Sequence, residues 1–205
     1  MMNVWRIFWK VVAGIIAIFV IVTLLRVLYV SKNTPEQVAK IHATKLTMDD
    51  VMGVNLPPDP GVEADKTVEG IDANKNGIRD DVELAIFKEY PNSAKTRAVL
   101  LQYALALQME ATQPFPNKET VTEVVREQSR SGSCVGDILV PRESPEFSRS
   151  YSDVEKIYMY INFIKDKQLN TNERKQARKD FVRYVGSYSE SENEVCDIDI
   201  SALQN

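Results

Sequence analysis

The sequence predicts an all-α protein, an N-terminal transmembrane helix followed by an extracytoplasmic bundle of four to five helices. Three observations predict it. A long apolar run opens the chain, apolar residues in the body recur at helical spacing, and no apolar–polar alternation lasts long enough to build a sheet. No internal repeat of 20–50 residues is visible.

The apolar run covers residues 11–25. Fifteen residues span only about 22 Å as a helix, but Ile7 and Phe8 before it and residues 27–30 after it extend the run towards the roughly 30 Å hydrocarbon core. Lys10 and Arg26 lie near its ends, where their ammonium and guanidinium groups can snorkel to the headgroups. Trp5 and Trp9 at one end and Tyr29 at the other fit the two interfacial aromatic belts. The run has no polar face, unlike the core-facing helix of a soluble domain. Residues 26–33 offer no pair of small residues for signal cleavage, and no Cys follows the run for lipid attachment. Segment 1–30 therefore reads as an uncleaved signal anchor, with residues 5–30 in contact with the membrane.

Charge is divided unevenly. The chain carries 25 basic and 29 acidic side chains, a net charge of −4. Segment 1–30 holds three of the basic residues (Arg6, Lys10, Arg26) and no acid, which leaves 22 basic against 29 acidic, or −7, on residues 31–205. A general nucleic-acid binder needs a basic footprint, and this body has none. Arg6 and Lys10 favour a cytoplasmic N-terminus, opposed by Arg26, Lys32, Lys40 and Lys45. The short tail before the span and the large acidic domain after it favour a single-pass inner-membrane protein with a periplasmic C-terminal domain.

Thr34-Pro35-Glu36-Gln37 reads as a helix start, with Thr34 as cap and Pro35 at the first helical position, running to about residue 46. A short turn of helix follows over 48–52. Gly53, Pro57, Pro58, Pro60, Gly61 and Gly70 make 53–70 a connector and the best hinge candidate. The divisions are thus an anchor over 1–30, a stalk and linker over 31–66, and a helical domain over 67–205.

In the domain, Val82, Ala85 and Ile86 line one helix that ends at Tyr90-Pro91. Ser93 can cap the next, whose apolar residues from Ala98 to Met109 go nearly all the way round, as a central buried helix requires. Pro114 and Pro116 end it. Val121, Val124 and Val125 mark a third helix reaching towards Ser129. Gly132, Gly136, Pro141 and Pro145 predict a mostly irregular stretch over 131–147. Ser152-x-x-Glu155 is a capping box ahead of Ile157, Ile161 and Ile164. Asn170-x-x-Glu173 starts a last helix with Ala177, Phe181, Val185 and Tyr188 on one face. About 130 residues are enough to bury a core without metal or disulfide.

The densest chemical signal is the stretch 72–83, Asp-Ala-Asn-Lys-Asn-Gly-Ile-Arg-Asp-Asp-Val-Glu. Asp72, Asn74, Asn76, Asp80 and Glu83 place side-chain oxygens at positions 1, 3, 5, 9 and 12, and Ile78 offers its backbone carbonyl at position 7. Calcium takes six to eight hard oxygen ligands, and Gly77 permits the sharp turn that aims alternate residues the same way. The stretch resembles the calcium loop of the EF-hand family, and more closely the loops of dockerin and thrombospondin type 3 repeats. It departs from them in carrying Asn at positions 3 and 5, Arg79 in place of the usual apolar residue at position 8, and no plausible incoming helix. Three formal charges (Asp72, Asp80, Glu83) imply weak affinity, about 10⁻⁴–10⁻³ M. The competing reading is a plain Asn-Gly turn, with Asp80 and Asp81 favouring the N-terminus of the following helix. The loop, Gln102-Tyr103-Ala104, Leu169-Asn170-Thr171 with Arg174, and the late Cys196 also resemble a group of uncharacterised bacterial envelope proteins, a resemblance that brings no activity.

One His and two Cys exclude His-rich and all-cysteine zinc sites. In an oxidising compartment Cys134 and Cys196 invite a disulfide. His42 reads as a solvated helix residue, and it is the one His a Ser-His-Asp triad could use. Glu63 and Asp65 could add ligands to the loop or be solvated. Tyr151, Tyr158, Tyr160, Tyr184 and Tyr188 read as core and rim aromatics, and Lys175, Arg178 and Lys179 as a solvated basic face. With no nucleophile motif, phosphate loop or His partner, the chain reads as a non-enzymatic, membrane-anchored interaction or structural domain. It would work with an envelope protein partner and carry a weak calcium ion. The alternatives are a calcium-responsive sensor and a carboxylate-based envelope hydrolase.

Overall fold

The computed structural model describes residues 2–114, 116–144, 147–189 and 194–203. Among these residues it is all-helical, with no strand. The helices are α1 (Met2–Ala43), α2 (Met48–Met52), α3 (Asp80–Glu89), α4 (Ala94–Thr112), α5 (Lys118–Leu139), α6 (Tyr151–Gln168) and α7 (Asn172–Val182). Two 3-10 turns, Gly61–Asp65 and Ile200–Ala202, complete the described elements.

α1 is one helix, not an anchor and a separately capped stalk, and Pro35 lies inside it. Proline removes one helical N–H, so this continuity has to be held by tertiary contacts. Thr34 is buried, and its hydroxyl accepts from Asn117 Nδ2 at 3.0 Å instead of capping a helix start. Ile41 enters the core, and His42 Nε2 lies 2.9 Å from Glu123 Oε2. The preceding half of α1 has a mean hydropathy of 2.8 and no buried residue, and it is long and apolar enough to cross a membrane. Trp5, Trp9, Lys10, Arg26 and Tyr29 are all exposed along it.

The stretch 31–66, expected to stand off as stalk and linker, is packed on the body. Leu46 and Val51 belong to the core cluster with α4 and α5 residues. The expected hinge over 53–70 is strapped down by side-chain donors. Gln108 Nε2 donates to Glu69 O (2.7 Å), and the buried Arg174 donates to the carbonyls of Ala64, Thr67 and Val68. The 3-10 turn pairs the Pro60 and Glu63 carbonyls within the stretch, and these side-chain donors take the carbonyls of Ala64, Thr67, Val68 and Glu69.

α4 is the central helix, with residues 96–109 all buried. The expected irregular stretch 131–147 is largely helix, because α5 continues to Leu139. Gly136 serves close packing, since a Cβ there would lie 3.2 Å from Ile157 Cδ1 of α6, while one on Gly132 would sit in ordinary contact, 3.9 Å from Ile161 Cδ1. Pro145 lies outside the described residues. Ser93 caps α4 as expected, its hydroxyl accepting from Thr96 N–H at 3.1 Å. The caps of α6 and α7 are Ser150 and Thr171, displaced from the expected Ser152 and Asn170. Asn170 instead donates to Asp65, and Val185 and Tyr188 lie beyond the end of α7.

The pairs Thr34–Asn117, His42–Glu123 and Lys45–Glu127 show that α5 runs alongside the packed half of α1, away from the apolar half. α6 descends antiparallel to α5, Ile157 beside Gly136 and Ile161 beside Gly132. Beyond α7, Gly186 N–H donates to Thr122 Oγ1 at 2.8 Å. Residues 116–122 and 182–188 therefore form the end of the body nearest the apolar half of α1.

Candidate functional site: the loop over 72–83

The loop is closed by its own oxygens. Asp72 accepts from the N–H groups of Asn76 (3.2 Å) and Gly77 (2.9 Å), and Asp80 accepts from Ala73 N–H (3.0 Å). Asn76 Oδ1 accepts from Ile78 N–H at 2.9 Å, and Asp80 N–H donates to Ile71 O at 2.8 Å. Lys75 and Gly77 both have positive φ, 60° and 85°. Glycine is needed at 77 on two counts, since a Cβ there would also lie 2.7 Å from Leu105 Cδ1. Asp80, Asp81 and Glu83 occupy the first turn of α3, where the helix dipole favours negative charge.

Glu83 is the focus of the loop. It is 1% exposed, and its carboxylate accepts from Asn74 Nδ2 (3.1 Å) and Asn76 Nδ2 (3.2 Å). Burial pushes its carboxyl up to about 7; the two amides oppose this and the Asp50 and Asp80 charges add to it. Burial also raises the Asp80 carboxyl, aided by Asp72 and Asp81. The loop thus brings Asn74 and Asn76 onto Glu83 and turns Asp72 and Asp80 onto backbone N–H groups. Among the described residues, no group of three or more His, Cys, Asp or Glu side chains is placed to hold a metal ion. Two amides and a carbonyl of the predicted ligand set lie outside any such group.

Arg79, the departure at position 8, is fully buried. It grips Asp81 with two bonds (2.5 and 2.9 Å) and donates to the carbonyls of Lys167 (2.6 Å) and Gln168 (3.2 Å), capping the C-terminus of α6. Asp65 is committed elsewhere, to Asn170 and Arg174, whose contacts hold its carboxyl below the usual range, and Glu63 pairs with Lys66 at 2.6 Å. Neither adds a ligand to the loop. A groove of about 330 Å³ runs beside the loop, walled by Lys40 and Ile41 of α1, Asp72 and Asn76 of the loop, and Leu105 and Met109 of α4.

A second constellation closes the C-terminal segment 194–203. Cys134 and Cys196 form a disulfide with Cα atoms 5.2 Å apart and a sequence separation of 62. Beside it, the buried Arg130 bonds Asp197 (2.5 Å) and Glu127 (2.7 Å) and donates to the carbonyls of Glu194 and Val195. Asp197 also accepts from Leu46 N–H, and its own N–H donates to Gln102. Lys45 completes the set at 3.1 Å from Glu127 and 3.6 Å from Asp197.

Two expectations are corrected here. His42 is not simply solvated, since its ring pairs with Glu123. Arg178 leaves the solvated basic face to pair with Glu110 at 2.9 Å, while Lys175 and Lys179 stay exposed. Of the named tyrosines, Tyr151, Tyr158, Tyr184 and Tyr188 are exposed and belong to the rim; Tyr160 packs half-buried against Tyr90, ring centres 6.3 Å apart. The buried arginines were missed. Arg97 carried a signal, because a charge in the middle of an all-round buried helix has to find acceptors.

The described residues define an all-helical protein with one helix long and apolar enough to cross a membrane and one disulfide. No family model matches the chain, and no curated protein and no solved structure matches it significantly.

Proposed function

We propose that this is a single-pass inner-membrane protein, N-terminus inside, whose periplasmic helical body is a structural or interaction domain for an envelope protein partner. The observation that carries the reading is α1: an apolar half with no buried residue continues unbroken into a half built into the core. A partner of the body is thereby held at a fixed height above the membrane. The Cys134–Cys196 bridge fits an oxidising compartment.

The loop over 72–83 carries a weak calcium ion of structural role in this reading. Its donors fit, being all hard oxygens, with a buried carboxylate that no base neutralises. Asp72, Asn74, Asn76, the Ile78 carbonyl, Asp80 and Glu83 would hold the ion. It supplies the positive charge that lets Glu83 ionise while buried, and the two amides would turn their oxygens inward. Affinity capture of the full chain from crosslinked membranes tests the interaction role. A defined partner is recovered, and it is lost when residues 67–205 are deleted. Recovery that survives the deletion contradicts the reading.

A further inference from the structure

The end of the body nearest the apolar half of α1 carries an unassigned surface. Val182, Tyr184, Val185 and Tyr188 are exposed within seven residues of chain, together with Arg183, and Lys118 is exposed beside them on α5. The height of this surface follows from α1. Val30 ends the apolar run, and Thr34 is four residues on, about 6 Å along a helix axis. The headgroup layer on each side of a bilayer is roughly 5–8 Å thick. Thr34 is bonded to Asn117, next to Lys118. A cavity of about 520 Å³ has Val30, Lys118, Glu119, Glu123, Arg126 and Gly186 among its walls. Its Lys118 and Gly186 edge, which it shares with Val30 at the end of the span, lies at headgroup level, and the walls reach up α5 from there.

We propose that this surface is a second membrane contact, in which residues 182–188 and Lys118 rest in the lipid–water interface of the bilayer that α1 spans. The proposal depends on α1 spanning a membrane. The chemistry matches the layer. Tyrosine partitions to the interface because its ring is apolar and its hydroxyl polar, valine adds apolar area, and Lys118 meets lipid phosphates, joined by Arg183, whose exposed pair with Asp180 (3.1 Å) leaves donors to spare. The partner is the lipid surface because the patch is continuous in height with the membrane-spanning half of the same chain. The consequence is mechanical. One helix fixes height alone, whereas a helix and a second contact fix the tilt of the body.

Single-tryptophan variants of the full chain in phosphatidylethanolamine–phosphatidylglycerol nanodiscs test this. In a Trp5→Phe, Trp9→Phe background, Tyr184→Trp and Tyr188→Trp report on the patch. Tyr158→Trp is the control, because Ile157 beside it packs on Gly136, eighteen residues or about 27 Å further along α5 than Lys118. With lipids brominated high on the acyl chain, the Tyr184→Trp and Tyr188→Trp variants should lose about half their emission, and the control almost none. The unaltered Trp5 and Trp9 report separately on α1. If they are quenched while the patch variants behave like the control, the second contact is wrong and the anchor stands. If neither is quenched, both fail. Blue-shifted patch emission without bromolipid quenching places a protein surface there and also overturns the proposal.

Discussion

The loop over 72–83 and the C-terminal segment 194–203 are both irregular chain held against the same helices, and their charges are balanced in opposite ways. In the segment every buried acid meets a base: Asp197 and Glu127 share Arg130 and Lys45, and a disulfide closes the ends. In the loop Glu83 is as deeply buried, yet its partners are two neutral amides, and its nearest charges are the acids Asp50 and Asp80. The buried base of the loop, Arg79, turns away to Asp81 and the end of α6. A buried carboxylate without a cation stays protonated or acquires one. The segment meets its buried acids with bases, whereas the loop meets Glu83 with amides and a raised carboxyl pKa.

Breaking the segment should have the largest effect. Replacing both cysteines (Cys134→Ala with Cys196→Ala) removes a bridge over about 60 residues and should cost about 4 kcal/mol in chemical denaturation, with calcium making no difference to the loss. Next comes Arg79→Ala. It leaves Asp81 and the carbonyls of Lys167 and Gln168 without their buried donor, at a cost of about 3 kcal/mol by the same measurement.

The smaller effect is a pH dependence carried by Glu83. Its folded carboxyl lies near 7, above the 4.5 of an unfolded glutamate. The folded state therefore holds a proton that the unfolded state releases. This contribution to stability is complete below 4.5 and is lost as pH rises through 7. Without calcium, stability should fall by about 2 kcal/mol between pH 4.5 and 8 from this group, and Glu83→Gln should remove that slope. The proposed calcium ion would reverse the preference, because only the ionised carboxylate would bind it.

The parts of the fold that rest on repeated local pattern were legible. The all-round apolar run from Ala98 to Met109 marked the central helix, and the unbroken apolar run marked the anchor. What failed were residues whose local meaning is overruled by a distant partner. Gly132 and Gly136 read as breakers but lie inside α5, where Gly136 lets α6 approach. Thr34-Pro35 reads as a helix start, yet the contact of Thr34 with Asn117 carries α1 through. Arg79, Arg130 and Arg174 look like surface charges, and nothing local announces that each reaches carbonyls or carboxylates tens of residues away. For the loop, spacing gave the order of the oxygens, while the burial of Glu83 and the commitment of Asp65 to Arg174 appear only in three dimensions.

The proposed calcium ion is tested most directly by thermal unfolding of the full chain at pH 8 with increasing calcium, wild type against Glu83→Gln. An affinity of about 10⁻⁴–10⁻³ M predicts roughly 2 kcal/mol of stabilisation at about 10 mM calcium, a rise of several degrees in Tm. The Glu83→Gln variant should show almost none of it. An unchanged Tm in the wild type, or an equal rise in both proteins, would contradict a calcium ion in this loop.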